Sequence, residues 1–228
     1  MNYVKGGSFA RSGVPEIYPT QVPLSIFKQE SHQQISVMDF YLDPYPVSNK
    51  EFVQYLNVRR TIRSGRTTVL IHLNVPNCHI VRRGLKFYVE AGFEDFPVTY
   101  ITWYGADAYA RWLGKRLPTS TEWEFVAYQN YPGEVTRTFQ AVNSGTPDSN
   151  GFYHLLGNVW EWCADFYTFR DWQRFKPEHP NILVTTPQKM LKGGAWNSPI
   201  DDLRPETYGF CDPQLSADNI GFRCAKSL

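Results

Sequence analysis

Three stretches of the chain place apolar residues at helical spacing, each behind a residue suited to start a helix. Ser48-Asn49-Lys50-Glu51 reads as a capping box, with Phe52, Val53 and Leu56 following on one face. Thr102 is placed to cap a helix running through Leu113; Ala106, Tyr109, Ala110 and Leu113 form its inward stripe and Gly114 ends it. Thr119-Ser120-Thr121-Glu122 is a second capping box, with Trp123, Val126 and Ala127 facing inward. Helices this short need a sheet to lean on. Strand-like segments are short and scattered: Ile35 to Phe40, Thr67 to Leu73, Leu85 to Glu90, Lys189 to Lys192 and Ile220 to Ala225. Helices early, a broken antiparallel sheet and abundant irregular loop predict an α+β fold.

Composition narrows this further. The 228 residues are 42% hydrophobic and 16% aromatic, enough for a sizeable core, and 16 Gly with 16 Pro promise many turns. No repeat or low-complexity linker divides residues 1–228, which read as a single ordered domain. A formal charge of +1 gives no global field towards nucleic acid or an anionic membrane, and neither is expected as a partner. The local run Arg59, Arg60, Arg63 and Arg66 reads as a solvated helix end and turn. Met1 to Ala10 lacks the apolar stretch of a signal peptide, and runs such as Val69-Leu70-Ile71 are too short to span a bilayer, so a cytoplasmic address is expected. The four cysteines, Cys78, Cys163, Cys211 and Cys224, show no CxxC pair and read as reduced structural thiols.

Six motifs occur in order along the chain: Gly6-Gly7-Ser8-Phe9; Pro97 to Tyr104; Ala108 to Thr119, running into Glu122-Trp123-Glu124; Gly157-Asn158-Val159-Trp160-Glu161-Trp162; Lys192-Gly193-Gly194-Ala195-Trp196; and Asn219-Ile220-Gly221-Phe222-Arg223. Together they resemble the formylglycine-generating enzyme (sulfatase-modifying factor) superfamily. The resemblance implies that family's C-type-lectin-like fold, short helices around a broken antiparallel sheet. Read as residues, the motifs are mainly structural. Gly157-Asn158 turns the chain so that Trp160 and Trp162 point to one side of an extended segment, and Glu161 with Arg223 is expected to form a buried ion pair or to satisfy loop carbonyls.

The family's oxidases carry two cysteines after the Gly-Gly-Ser-aromatic turn, one two residues past the aromatic and the next five further on, which hold copper. Here those positions are Ser198 and Leu203, and no cysteine lies between Asn197 and Phe210. A hydroxyl and an isobutyl group cannot hold Cu(I), which needs soft thiolates. No catalytic residue is therefore expected. The five histidines include no i, i+4 pair for a helical metal site, and there is neither a nucleophile elbow nor a phosphate loop. The family often places Asp or Asn at the position of His154 as a calcium ligand. Imidazole suits that hard cation poorly, which leaves at most a weak structural calcium site at Gly157, Val159 and Glu161. No other cofactor is expected.

Between Trp196 and Asn219 lie 22 residues, an uncommonly long connection for a compact domain. Ile200, Leu203, Tyr208, Phe210 and Leu215 argue for an ordered loop with exposed side chains. The frame from Gly193 to Arg223 also resembles the variable region of diversity-generating-retroelement proteins, which use this same lectin-fold subclass. Their asparagine-rich templates, altered at adenines, can yield every residue from Thr207 to Asp212, and Leu215, Ala217 and Asp218 as well; Gln214 is out of reach. The resemblance implies a non-catalytic ligand-binding protein that displays a diversified surface to a protein or other macromolecule through residues 197–218. The expected ligand-binding residues are Trp196, Asn197, Ser198, Asp201, Thr207, Tyr208, Phe210, Cys211, Asp212, Gln214, Leu215, Ala217 and Asp218. Three alternatives stay open. One is an ordinary capping loop with Phe210 and Leu215 buried. Another is a divergent oxidase with a relocated metal site using Cys211 with Cys163 or Cys224. The third is a structural subunit bound through the arginine-bearing insert 57–86, where the chain departs most from the family pattern.

Overall fold

The computed structural model describes residues 1–11, 17–18, 25–27, 33–129, 135–167 and 187–228, with backbone alone for 17–18, 25–27 and 33. Its three helices start where their caps are written. Helix α1 (Asn49–Arg59) is held by Ser48, whose side chain accepts from the Glu51 N–H while the Glu51 carboxylate accepts from the Ser48 N–H. Thr102 caps α2 (Trp103–Trp112) through the Gly105 N–H. Before α3 (Ser120–Gln129), Thr119 and Glu122 bond reciprocally. The inward stripes are as expected except at Leu113, which lies past the last turn of α2 and is 41% exposed.

The strands form several small sheets rather than one large one. A three-stranded antiparallel sheet sets Phe40–Leu42 between Asn2–Val4 and Ala225–Ser227. A six-stranded sheet runs in the order Ile220–Gly221, Trp160–Tyr167, Gln188–Lys192, Tyr208–Cys211, Ser25–Phe27, Ile17–Tyr18. Within this sheet only the pairing of Trp160–Tyr167 with Ile220–Gly221 is parallel. The expected single strands Ile35 to Phe40 and Ile220 to Ala225 are each split in two by the change of sheet, into Gln33–Val37 with Phe40–Leu42 and Ile220–Gly221 with Ala225–Ser227. Three helices around short sheets make the architecture α+β, as the polarity pattern predicts.

The strand Trp160–Tyr167 separates two apolar clusters and feeds both. Trp160 and Trp162 point into the larger one, with Phe52, Tyr55 and Leu56 of α1, Tyr109 and Ala110 of α2, and Phe222. Cys163, on the opposite side, joins Trp123 and Val126 of α3, Phe40 and Leu42 in the second. Two indole N–H groups find backbone acceptors: Trp162 Nε1 donates to Ile101 O at 3.0 Å, and Trp103 Nε1 to Cys163 O at 2.8 Å.

The region after Trp196 corrects an expectation. It is no loop devoid of regular structure: it holds a turn of 3-10 helix, Ile200–Asp202, and the strand Tyr208–Cys211. That strand is paired on both edges, with Gln188–Lys192 and with Ser25–Phe27, and both its faces are covered. Phe210 stacks on Tyr167 with centroids 3.8 Å apart and planes 9° from parallel, and Cys211 belongs to the larger core. Among the described residues, no helix is long and apolar enough to cross a membrane.

Candidate functional site

Two glycine turns build the region where the family motifs converge. Gly157 and Asn158 both have positive φ, 90° and 56°, as have Gly193 and Gly194, 94° and 69°. The turns are tied together: Gly157 N–H donates to Gly193 O at 2.8 Å, and Trp196 N–H to Asn158 O at 3.0 Å. The buried Asn158 side chain donates to Gln140 O and accepts from its N–H. A Cβ on Gly157 would lie 1.9 Å from Thr136 O, so the close approach admits no side chain.

Gly194 organises the two positions that hold cysteine in the family's oxidases. An added Cβ there would meet Leu203 Cδ2 at 2.4 Å and Ser198 Oγ at 3.4 Å, so both side chains close on one point, as the spacing implies. Both are buried, at 7% and 2% exposure. The Ser198 hydroxyl accepts the Ala195 N–H at 2.9 Å and so holds the turn closed. A single hydroxyl beside an isobutyl group offers no soft donor, and the residues present do not fit copper.

The neighbouring charges are structural. Arg223 Nε donates to Glu161 Oε2 at 2.7 Å and Nη2 to Oε1 at 2.8 Å; Trp123 Nε1 donates to the same Oε2 at 2.9 Å. The rest of the guanidinium satisfies the carbonyls of Pro44 and Tyr153, at 3.1 and 2.8 Å. Both Glu161 oxygens thus accept from protein donors. His154 bonds Thr136 Oγ1 at 2.9 Å and Ala141 O at 3.1 Å. Glu124 is held between Lys192 Nζ at 3.0 Å and Arg11 Nε at 2.6 Å, and burial pulls the Lys192 ammonium below its ordinary pKa. Sequence reasoning missed the parts of Trp123, Lys192 and Arg11; the first two stand inside quoted motifs, and their partners lie far off in sequence.

The expected ligand-binding residues separate into two groups. Trp196, Asn197, Asp201, Gln214 and Leu215 are exposed, and Asp212, Ala217 and Asp218 half-exposed. Asn219 Nδ2 donates to Asn197 Oδ1 at 3.0 Å, which ties the first rim to the last strand of the motif. Ser198, Thr207, Tyr208, Phe210 and Cys211 are buried; for Tyr208, Phe210 and Cys211 the cause is a strand paired on both edges and covered on both faces, which leaves its side chains no access to a ligand. Burial also raises the thiol pKa values of Cys163, Cys211 and Cys224, against the thiolate that a metal needs. Among the described residues no group of three or more His, Cys, Asp or Glu is placed to hold a metal ion.

Comparison with known proteins agrees with the motif order. The chain is 34% identical over its whole length to the serine/threonine-protein kinase pkn1 of Chlamydia pneumoniae, and spans 38% of that protein's length. It is 34% identical to the formylglycine-generating enzyme of Thermomonospora curvata, covering 97% of this chain and 91% of that enzyme. It is 32% identical to the inactive C-alpha-formylglycine-generating enzyme 2 of Bos taurus, covering 85% and 79%. Two solved structures share the fold: PvdO from Pseudomonas aeruginosa, TM-score 0.66 at 20% identity over 99% of this chain and 93% of that one, and Treponema denticola variable protein 1, TM-score 0.56 at 17% identity over 98% and 94%. The sulfatase-modifying factor enzyme 1-like domain matches residues 1–136 and 126–228, and the chain belongs to that family.

Proposed function

We propose that this chain is a non-catalytic ligand-binding module, a rigid lectin-like scaffold that works through the exposed part of residues 196–218. One observation carries the reading: Ser198 and Leu203 meet at Gly194, where the family's oxidases have thiolates, and the hydroxyl is spent on the turn. The surface left for recognition is Trp196, Asn197, Asp201, Gln214 and Leu215, a mix of large apolar area, amide and charge suited to a protein ligand. The fold shared with Treponema denticola variable protein 1 supports display from this region, and a retroelement-type diversified surface is the finer form of the proposal. Within a longer protein of the pkn1 kind, such a module would supply docking rather than phosphoryl transfer.

The test is direct. Purified protein loaded with copper is mixed with a cysteine peptide, and formation of the aldehyde is followed by mass spectrometry. No conversion and no stoichiometric Cu(I) uptake are expected; turnover would overturn the proposal. The retroelement form falls if the coding DNA has no near-repeat of the Gly193 to Arg223 segment and no reverse transcriptase beside it.

A further inference from the structure

The near-neutral total charge hides a segregation. From Phe52 to Val89 the chain has no Asp or Glu but two basic runs, Arg59, Arg60, Arg63 and Arg66, then Arg82, Arg83 and Lys86. Of 23 cations and 22 acids in all, the rest of the chain therefore keeps sixteen cations against 22 acids, a balance of −6. All seven cations are exposed. None of the seven stands in an ion pair among the described residues: the pairs there are Lys50–Asp95, Arg111–Asp107, Lys115–Asp43 and Arg116–Glu122 among others, and at the base of the second basic run His79 faces Glu90 at 3.0 Å.

The fold gathers these runs. Asn57, near the end of α1, donates to Phe87 O and accepts from the Phe87 N–H, both at 2.9 Å, which fastens the hairpin Ile80–Arg83/Lys86–Val89 to the helix end bearing Arg59 and Arg60. The second hairpin, Arg63–Ser64/Thr68–Val69, follows within three residues and presents Arg66 at its turn. Three guanidinium groups are braced on rings: Arg59 on Tyr55, Arg82 on Phe87 and Arg83 on Tyr88, at 6.0, 5.6 and 5.7 Å. Among the cations stand large apolar side chains in water: Leu85 at 68% exposure in the hairpin tip, Val58 at 65%, Tyr88 at 43%, and Trp112 at 41% against Tyr55.

We infer that this face docks on an anionic phospholipid membrane, its cations on the headgroup phosphates and Leu85 and Val58 at the acyl boundary. Basic side chains outside any ion pair, exposed aliphatic side chains among them, and an exposed Trp and Tyr are what an interfacial site requires. A nucleic acid would answer the cations equally well but offers nothing to cover Leu85 and Val58.

The full chain is mixed with vesicles of phosphatidylcholine alone or with 30 mol% phosphatidylglycerol at about 0.1 M salt, and partition is read by sedimentation. Binding is expected only with the anionic lipid, and is lost in 0.5 M salt. The combined variant Arg82→Gln, Arg83→Gln, Lys86→Gln alters only exposed side chains and should weaken partition about 100-fold, roughly fivefold per cation. Leu85→Ser should weaken it at unchanged charge; its circular dichroism and melting should match the parent. Equal partition to both vesicle types overturns the inference, as does no partition to either. So does tighter binding to a 20-base-pair DNA duplex than to the anionic vesicles.

Discussion

Arg223 and Glu161, 62 residues apart in sequence, meet through two parallel N–H···O bonds at 2.7 and 2.8 Å, with 0% and 1% of their side chains exposed. The pair joins the last motif of the chain to the strand between the two cores. Through the remaining guanidinium N–H groups it also pins the segments at Pro44 and Tyr153. Removing one partner strands a buried charge, which costs about 3–5 kcal/mol. Glu161→Gln is expected to lose that much, a large part of a typical 5–15 kcal/mol total, and Arg223→Lys about 1–3 kcal/mol for the hydrogen bonds it gives up. The lysine keeps the charge but cannot reach the carboxylate and the carbonyls together. The shift in urea midpoint measures this; a change below about 1 kcal/mol in either variant would contradict the assigned geometry.

The segment 197–218 divides into residues that hold the fold and residues that face solvent, and the division is measurable. Phe210→Ala removes a ring stacked on Tyr167 and should destabilise by about 3–5 kcal/mol. Asp201 has 77% of its side chain exposed, its nearest guanidinium being Arg204 at 3.9 Å. Asp201→Asn and Gln214→Ala should therefore stay within about 0.5 kcal/mol of the parent. Thermal melts of the three variants decide the matter. A neutral Phe210→Ala would return that side chain to the display surface.

What could be read along the chain followed from how far each determinant reaches. The caps Ser48, Thr102 and Thr119 act within three residues, so the helices they start were legible from sequence. The strand Tyr208–Cys211 was not, because its neighbours are Gln188–Lys192 and Ser25–Phe27, the latter about 180 residues away. Burial on both faces also removed the alternation that marks a half-exposed strand, so Tyr-Gly-Phe-Cys read as a recognition loop. The convergence of Ser198 and Leu203 on Gly194 was legible only through the family spacing; nothing in their own chemistry announces it.

That convergence makes the missing chemistry open to repair. Ser198→Cys with Leu203→Cys places two thiols on the same glycine, where Cu(I) needs two soft donors. The double variant is expected to take up one Cu(I) per chain in titration with a chromogenic chelator, and each single variant far less. Some stability is lost, since Ser198 Oγ accepts the Ala195 N–H and Leu203 is core; about 1–3 kcal/mol is expected. If the double variant binds no better than the parent, the two positions do not face one another as described.

The buried thiols give the fold a pH dependence of known sign. Desolvation raises the pKa of Cys163, Cys211 and Cys224 in the folded protein, whereas an unfolded chain ionises its cysteines near 8.5. Above that pH the unfolded state holds fewer protons than the folded one, so each thiol lowers stability as pH rises. The slope approaches about 1.4 kcal/mol per pH unit for each thiol, and below pH 8 the contribution is flat. Lys189 and Lys192 act in the opposite sense, because burial lowers their pKa and the unfolded chain then binds more protons until about pH 10.4. The parent alone therefore shows only a difference of slopes. Comparison with Cys211→Ala isolates one thiol: the two stability curves should run parallel from pH 6 to 8 and converge above 8.5, the variant falling less steeply. Curves that stay parallel to pH 10 would mean that Cys211 ionises freely in the folded protein. That would revive it as a metal ligand and with it the relocated oxidase site.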